Sequence, residues 1–278
     1  MDELDSYRTH SPATDPGVHR TLLRALPTDP AALARIVGGL VVHRDWAWRF
    51  GVTLTEERRD EANTRHVSAM LEHLGSLDER PAGERFAGTC RDFTVLLVAL
   101  LRETGTPGRA RAGFAGYFTP GHEFHDDHWV AEVWSEATGS WHLLDAQVAA
   151  YPPGTYGTGD LDPFDVPRDA FIVGGQAWLG ARDGTLDPST FGVAAAGLTG
   201  MWEIQGNVVR DLAALNKAET LPWDAWGLIP VHYDQLPPPD LALLDRLATA
   251  GAAAGPPSAL EAAYRSDPRV PAPPDLGA

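Results

Sequence analysis

The residues best suited to chemistry in this 278-residue chain are its only cysteine, Cys90, and two residues that follow it, His128 and Asp145. A nucleophilic thiol needs a base that takes its proton and later returns it to the leaving group. An imidazole in that role needs a carboxylate to fix its tautomer. The three residues therefore predict a cysteine nucleophile that forms an acyl thioester. The structural alternative is an inert, buried cysteine, because free cysteine is often a small core residue.

Cys90 lies where a helix is predicted to begin. Gly88 and Thr89 break the preceding segment and offer a cap, apolar residues then recur at helical spacing, and Gly105 and Pro107 stop the pattern. The positive end of a helix dipole favours thiolate over thiol. Its free N–H groups can also hold a tetrahedral oxyanion.

After this helix the hydrophobic period changes from helical to alternating. Residues 110–118, 127–134 and 141–147 read as three strands, and the last two are close enough in sequence to form a hairpin. We expect this hairpin to bring His128 and Asp145 within reach of each other across neighbouring strands.

Four segments carry a resemblance to a known family: GTCRDF at 88–93, a stretch from LLR to GTPGRAR at 100–111, HWVAEVW at 128–134 and GSWHLLD at 139–145. Together they resemble the transglutaminase-like superfamily, of an uncharacterised actinobacterial type, over about residues 80–150. The resemblance implies an α+β fold with a papain-like core, in which the catalytic helix packs on an antiparallel sheet. It also implies Cys90 as nucleophile, His128 as general base and acid, and Asp145 as the residue that orients His128.

This superfamily contains transglutaminases, peptidases, amidases, acyltransferases and inactive binding domains, so the fold does not settle the reaction. We expect an amide hydrolase or an amide-forming acyltransferase, acting on a small-molecule or peptide amide or ester. A non-catalytic binding module is the alternative. The chain contains one lysine, Lys217, so a transferase would need an external amine acceptor. The oligomeric state is left open.

Four regions are predicted along the chain: a disordered tail over 1–18, the catalytic core over 19–150, an extension over 151–232 and a Pro-rich helical appendage over 233–278. The core is expected to have a helical N-terminal part, and the extension a mixed structure that forms the far wall of a cleft. Helices are predicted from Asp29-Pro30 to an end near His43 to Trp46, and over 53–74, 169–180, 206–219, 240–250 and 258–264.

Composition excludes several classes of partner. The formal net charge of -16 argues against nucleic acid, since binding to phosphates requires a basic surface. That charge is compatible with a cationic substrate, although acidic residues spread over a surface mainly provide solubility. The start of the chain has no pattern of a secretory signal, and no apolar run is long enough to span a bilayer. A single cysteine suits a reducing compartment, so we expect a cytoplasmic protein without membrane partners.

Other polar and aromatic residues are weaker candidates. His122, His125 and His128 could suggest zinc, but on a strand His125 would face away from the other two and a fourth ligand is missing, so we predict no metal and no cofactor. Trp129, Gln147 and Trp178 are predicted substrate contacts. The second oxyanion donor is unassigned, with Trp46 and Trp48 as the candidates.

Overall fold

A long helix and an antiparallel sheet pack on each other at the centre of the protein. The computed structural model describes residues 3–119, 124–149, 151–152, 154–229 and 236–277. The helices are Asp5–Arg8 (α1), Pro30–Leu40 (α2), Glu56–Arg59 (α3), Val67–Leu74 (α4), Cys90–Glu103 (α5), Ala146–Ala149 (α6), Gly174–Asp183 (α7), Met201–Leu215 (α8), Pro238–Ala253 (α9), Pro257–Tyr264 (α10) and Pro274–Gly277 (α11). The strands are Val41–His43 (β1), Phe86–Gly88 (β2), Gly108–Ala115 (β3), His125–Ser135 (β4), Ser140–Leu144 (β5), Phe171–Val173 (β6), Phe191–Val193 (β7) and Leu198–Thr199 (β8).

The main sheet has the order β6-β3-β4-β7-β8, and β5 also pairs with β4. On one edge β4 runs antiparallel to β3, with Gly113 opposite His128. On the other edge β4 has two partners, because β7 joins it in parallel at His125 and Asp126 whereas β5 joins it in antiparallel from Ala131 onward. His128 lies between these two pairings. The α+β architecture predicted from the sequence is confirmed.

Helix α5 is the central element of the core. Every residue from Cys90 to Arg102 is buried, including the charged residues Arg91, Asp92 and Arg102. Phe93, Leu96 and Leu100 of α5 share one apolar cluster with Trp129 on β4. Cys90, at the first turn, keeps 8% of its surface accessible, so the helix is fixed along its length and presents its first residue at an edge.

The first turn of α5 is tied by Asp92. The main-chain N–H of Thr89 donates to Asp92 Oδ2 at 2.7 Å, which satisfies a donor that a helix start leaves free. Asp92 is fully buried and also accepts from Arg91 Nη1 at 3.1 Å. The carboxylate is therefore fixed from two sides, directly beneath Gly88.

Replacing Gly88 with alanine should destabilise the protein by about 1–3 kcal/mol, the usual cost of overpacking a close contact. A Cβ atom built at Gly88 would lie 2.7 Å from Asp92 Cβ and 2.9 Å from Asp92 Oδ2. Urea denaturation monitored by tryptophan fluorescence measures the loss. Gly83→Ala is the matched control, because the nearest atom to its Cβ would be Val52 Cγ2 at 3.9 Å. Equal stability of the two variants would contradict the close approach.

The tail predicted to be disordered is instead attached to the core over its described residues, from residue 3 onward. Tyr7 is 2% exposed, and its hydroxyl donates to the main-chain oxygen of Leu215 at 3.0 Å. Thr14 is fully buried and accepts from Arg102 Nη1 at 2.9 Å. The polar composition suggested disorder, but these polar side chains find partners on α5 and at the last residue of α8.

Several predicted helices are shorter or divided. The segment after residue 29 leaves its helix at Leu40 and continues as β1, and the pattern over 53–74 divides into α3, a 3-10 turn over Asp60–Asn63, and α4. The predicted helix over 169–180 contains β6 before α7 begins at Gly174. The helix predicted from 206 starts earlier, at Met201. No helix in the described part of the chain is long and apolar enough to cross a membrane.

Candidate active site

A two-stranded parallel pairing places a second histidine beside the start of α5. In the register of β1 and β2, His43 lies opposite Gly88, two residues before Cys90. The next main-chain N–H, that of Arg44, donates to the oxygen of Gly88 at 2.8 Å. These contacts fix the segment that precedes α5, next to Cys90 at the start of the helix.

His128 and Asp145 form the most tightly bonded pair at the site. His128 Nε2 lies 2.8 Å from Asp145 Oδ2, and both side chains are about fully buried. The hydroxyl of Tyr117 donates to the same Oδ2 at 2.6 Å, and the main-chain N–H of Val148 donates to Oδ1 at 3.1 Å. Three donors therefore fix the carboxylate, and the carboxylate fixes the imidazole.

His128 also contacts the cysteine. Burial lowers the pKa of His128, but the charge and hydrogen bond of Asp145, followed by a hydrogen bond with Cys90, outweigh it and raise the pKa to about 10. Since Nε2 is engaged by Asp145, the nitrogen left for the sulfur is Nδ1. At neutral pH the pair therefore presents an imidazolium beside Cys90.

Aromatic rings enclose the imidazole of His128. Phe118 packs edge-on, with ring centroids 4.8 Å apart, and Tyr117 and Phe171 contact it in the same manner at 6.0 and 6.3 Å. The strand predicted over 110–118 ends at Ala115, so Tyr117 and Phe118 follow in a turn and are free to fold over the histidine.

His43 differs from His128 in charge. Burial lowers the pKa of His43 to about 4, against the opposing charge of Asp45, and the charge of His128 lowers it further. His43 is therefore neutral at pH 7. Its Nδ1 accepts from the main-chain N–H of Asp45 at 3.3 Å.

A cavity of about 520 Å³ opens onto the cysteine. Cys90, Thr89 and His128 line one part of it, and a second wall comes from residues after Asp145, namely the segment around β7 and β8, the start of α8 and the segment 222–229. Trp202 and Trp223 belong to this wall. Trp226, in contrast, is 7% exposed and lies in a second apolar cluster, which includes Trp178 of α7, Val208 of α8 and Leu244 of α9.

The structure separates the three predicted substrate contacts. Gln147 lines the cavity, is 2% exposed, and its Oε1 has no hydrogen-bond partner in the described part of the protein. Trp129 lies in the core under α5, because alternation along β4 turns it away from His128. Trp178 packs in the second apolar cluster, where its Nε1 donates to Asp245 Oδ1 at 2.8 Å. The expectation that Trp129 and Trp178 line the site is therefore corrected.

Trp46 and Trp48, the two candidates for a second oxyanion donor, also differ in position. Trp46 lines the cavity and packs edge-on against Phe118, with ring centroids 4.7 Å apart. Trp48 is 66% exposed and is not one of the described residues that line the cavity.

The histidine cluster considered for zinc is only partly within the described residues, because His122 lies outside them. His125 stacks on Phe191 with ring centroids 4.4 Å apart. Among the residues that the structure describes, no group of three or more histidine, cysteine or acidic side chains is arranged to hold a metal ion.

Sequence reasoning missed three residues of the site: His43, Tyr117 and Glu203. His43 was placed at the end of a helix, although the apolar run 40–42 that precedes it is a signal for a short buried strand. The alternating pattern predicts Tyr117 within the strand over 110–118, whereas that strand ends at Ala115. Glu203 was placed before a helix predicted to start at residue 206, and nothing near it in the sequence points to Cys90.

Comparison with known proteins gives one family match. Residues 76–146 match the model of the transglutaminase-like superfamily. Among solved structures, a protein from Cytophaga hutchinsonii named a "Putative Cysteine Protease" is similar at 16% identity and a TM-score of 0.36, over 62% of this chain and 46% of that one. The chain thus spans less than half of that protein. A search of curated proteins gave no match. Residues 76–146, which contain Cys90, His128 and Asp145, belong to the transglutaminase-like superfamily, a superfamily of the cysteine-enzyme kind.

Proposed function

We propose that the protein is a cysteine-dependent acyl enzyme that works through a thioester on Cys90, with His128 as acid and base and Asp145 as its positioning residue. The observation that carries the proposal is that Cys90 and His128 line one cavity and contact each other, while Asp145 bonds to His128 from behind. Its substrate is an amide or ester of a small molecule or peptide.

In the acylation step the Cys90 thiolate attacks the carbonyl carbon of the substrate and its electron pair forms the C–S bond. The carbonyl oxygen takes the negative charge and meets the main-chain N–H of Cys90 at the start of α5. As this oxyanion collapses, the C–N or C–O bond breaks and His128 Nδ1 protonates the leaving group. Trp46 is our candidate for the second oxyanion donor, because its indole lies at the same cavity.

In the deacylation step the now neutral His128 takes a proton from water or from an amine that attacks the thioester. The C–S bond breaks, and the thiolate and imidazolium are restored. Throughout both steps Asp145 accepts from Nε2, so the imidazole keeps Nδ1 directed to the reacting atoms. Gln147, with its unpaired Oε1 at the cavity, is the proposed substrate contact that remains from the sequence prediction.

Water or a small external amine suits this protein better as acceptor than its own lysine. Lys217 Nζ donates to Thr9 Oγ1 at 2.8 Å and to the oxygen of Ser6 at 3.1 Å. An amine held in this way is a poor acceptor for self-crosslinking. We therefore favour amide hydrolysis or small-molecule amide transfer over protein crosslinking.

Incubation with p-nitrophenyl acetate, followed by intact mass measurement and peptide mapping, tests the proposal. We expect an acetyl group on Cys90 in the wild type and none in Cys90→Ala, and an acetylation rate lower by about 10²–10⁴ in His128→Ala. Product analysis with and without added amines then separates transfer from hydrolysis. Acetylation of Cys90 only after denaturation would overturn the proposal in favour of a non-catalytic binding module.

Alkylation of Cys90 by iodoacetamide should be faster in the wild type than in His128→Ala, by about tenfold at pH 7, because a free thiol is only a few per cent thiolate there. The cause is the imidazolium beside the sulfur. Since the pKa of His128 is raised to about 10, the difference should persist from pH 6 to 8 and shrink as the pH approaches 10. Because Cys90 is the only cysteine, mass spectrometry gives its rate directly. Identical rate profiles of the two proteins would contradict the ion-pair model.

A further inference from the structure

The cavity contains one buried acid that has no partner. Glu203 is 8% exposed and lines the same cavity as Cys90. Within the described part of the chain its carboxylate makes no hydrogen bond and no ion pair. Its two oxygens are not among the fully buried unpaired side-chain atoms of the described residues, so they remain accessible from the cavity. Its position in a cavity suggests that a ligand supplies the missing partner.

The arrangement of α8 keeps this carboxylate open toward the cavity. Gly206 and Arg210, which line the cavity with Glu203, lie one and two turns further along the helix. A Cβ atom at Gly206 would come within 2.5 Å of Arg210 Nη1, so the guanidinium lies over this glycine. Arg210 Nη2 in turn donates to the main-chain oxygen of Asp224 at 3.1 Å.

Acidic groups outnumber guanidinium groups around the cavity. Its lining contains four carboxylates, those of Asp45, Asp126, Asp127 and Glu203, against the two guanidinium groups of Arg44 and Arg210. Arg44 already lies 4.6 Å from the ring centre of Trp223. Asp45 already accepts a hydrogen bond from Arg59 Nη2 at 2.5 Å. The negative charge open to a ligand therefore comes from Glu203 on α8 and from Asp126 and Asp127 on β4, and it favours a cationic group.

The ionisation of the acids that line the cavity agrees with a preference for cations. Burial, followed by the charge of Asp127, raises the pKa of Glu203 to about 7, although Arg210 opposes the shift. Burial also raises the pKa of Asp127, again against Arg210. A cation bound beside Glu203 would offset the repulsion that the charge of Asp127 exerts on it.

We propose that Glu203, assisted by Asp127, binds an ammonium group of the substrate, so that the cysteine acts on compounds that carry a primary amine. This inference rests on the proposed function, because it places the ammonium group in the cavity where Cys90 reacts. Apolar groups of Val193, Leu198 and Trp202 line the cavity near Glu203 and suit the carbon chain that connects the ammonium to the reacting group. The ammonium belongs either to the acyl donor or to an amine acceptor.

Two thiol reagents that differ in charge test the ammonium site without a known substrate. The Cys90 thiolate attacks the sulfenyl sulfur of a methanethiosulfonate, a mixed disulfide forms and methanesulfinate leaves. The measured quantity is the rate with the 2-aminoethyl reagent divided by the rate with the neutral methyl reagent, taken at pH 8, above the pKa of Glu203. We expect this ratio to fall by at least about tenfold in Glu203→Gln, as for loss of one close charge pair.

Two further variants control for folding and for net charge. Glu203→Asp keeps the charge and should keep most of the preference for the cationic reagent. Glu136→Gln removes one charge from an acid whose side chain is 75% exposed in the turn after β4, and should leave the ratio of the wild type unchanged. An unchanged ratio in Glu203→Gln, or an equal fall in Glu136→Gln, would overturn the ammonium site. A wild-type Cys90 that reacts with neither reagent would count against the proposed function instead.

Two further substrates distinguish the sources of the ammonium group. If the acyl donor carries it, alanine p-nitrophenyl ester should acylate Cys90 faster than its N-acetyl derivative, and Glu203→Gln should remove the difference. If the acceptor carries it, putrescine should speed deacetylation of acetylated Cys90 more than butylamine does, and Glu203→Gln should again remove the difference. Absence of both preferences in the wild type would overturn the inference.

Discussion

Asp145→Asn should slow acylation of Cys90 by about 10⁴-fold, the loss expected when the imidazole of a triad is held in the wrong tautomer. This large effect is expected even though the substitution changes only one atom, an oxygen to a nitrogen. The reason lies in the donors that surround the carboxylate. Oδ2 accepts from His128 Nε2 and from Tyr117, whereas Oδ1 accepts from the main-chain N–H of Val148.

An asparagine amide has one acceptor and one donor, so it cannot satisfy this set. If its oxygen stays on the N–H of Val148, its NH₂ group faces His128, and Nε2 must then accept. The proton moves to Nδ1, which can no longer take a proton from the thiol. If the amide flips, its NH₂ group meets the N–H of Val148, two donors in a buried position. Both orientations disable the pair.

The acetylation assay with p-nitrophenyl acetate measures this loss. Tyr117→Phe is the matched control, because it removes one donor to Asp145 Oδ2 and leaves the tautomer of His128 unchanged. We expect it to lower the rate by no more than about 10²-fold, the equivalent of one hydrogen bond to a charged group at about 1.5–3 kcal/mol. If Asp145→Asn acylates within tenfold of the wild type, Asp145 does not set the tautomer.

The parts of the site that could be predicted from the sequence are those fixed by local patterns. The start of α5 is determined by residues within one turn of Cys90, since Gly88, Thr89 and Asp92 define the cap. The hairpin that brings His128 near Asp145 follows from a short turn between two alternating segments. Such signals extend over a few residues and are visible in a single chain.

The remaining parts depend on contacts between distant segments. His43 reaches the site through the pairing of β1 with β2, and Glu203 reaches it because α8 packs on β3. No local pattern contains either contact. The error at Trp129 was avoidable, however. Alternation along the predicted strand places it on the face opposite His128, so the two side chains could not both face the same site.

Charge in the core was also not predictable from composition. Arg109 and Arg111 of β3 and Glu132 of β4 are each no more than 2% exposed. Glu132 Oε2 accepts from Arg109 Nε at 2.7 Å and from Arg111 Nη1 at 3.0 Å, and its Oε1 accepts from Arg168 Nη2 at 2.8 Å. Charged residues in a strand usually predict a solvent-facing edge. Here the arginines and the buried Glu132 form ion pairs that connect β3, β4 and the segment before β6.

Glu132→Gln should destabilise the protein by about 3–5 kcal/mol, the usual cost of removing one partner from a buried ion pair. Arg111 keeps the two hydrogen bonds of its guanidinium to Asp211, both at 2.8 Å. Arg109 loses its carboxylate, and the new amide directs a donor at a guanidinium. Urea denaturation at pH 7 measures the loss, and Glu136→Gln in the exposed turn after β4 serves as the matched control.

The effect should also depend on pH in a defined direction. Burial raises the pKa of Glu132, but the charges of Arg111, Arg109 and Arg168 outweigh it and hold the pKa well below its usual range. As the pH falls, the Glu132 carboxylate is therefore protonated in the unfolded state at a higher pH than in the folded state. Its stabilising effect is complete above the usual glutamate pKa of about 4.3 and is lost as the pH falls below that value. The difference in free energy of unfolding between the wild type and Glu132→Gln should become smaller as the pH is lowered from 5 to 2. A constant difference over that range would show that Glu132 acts through packing rather than through its charge.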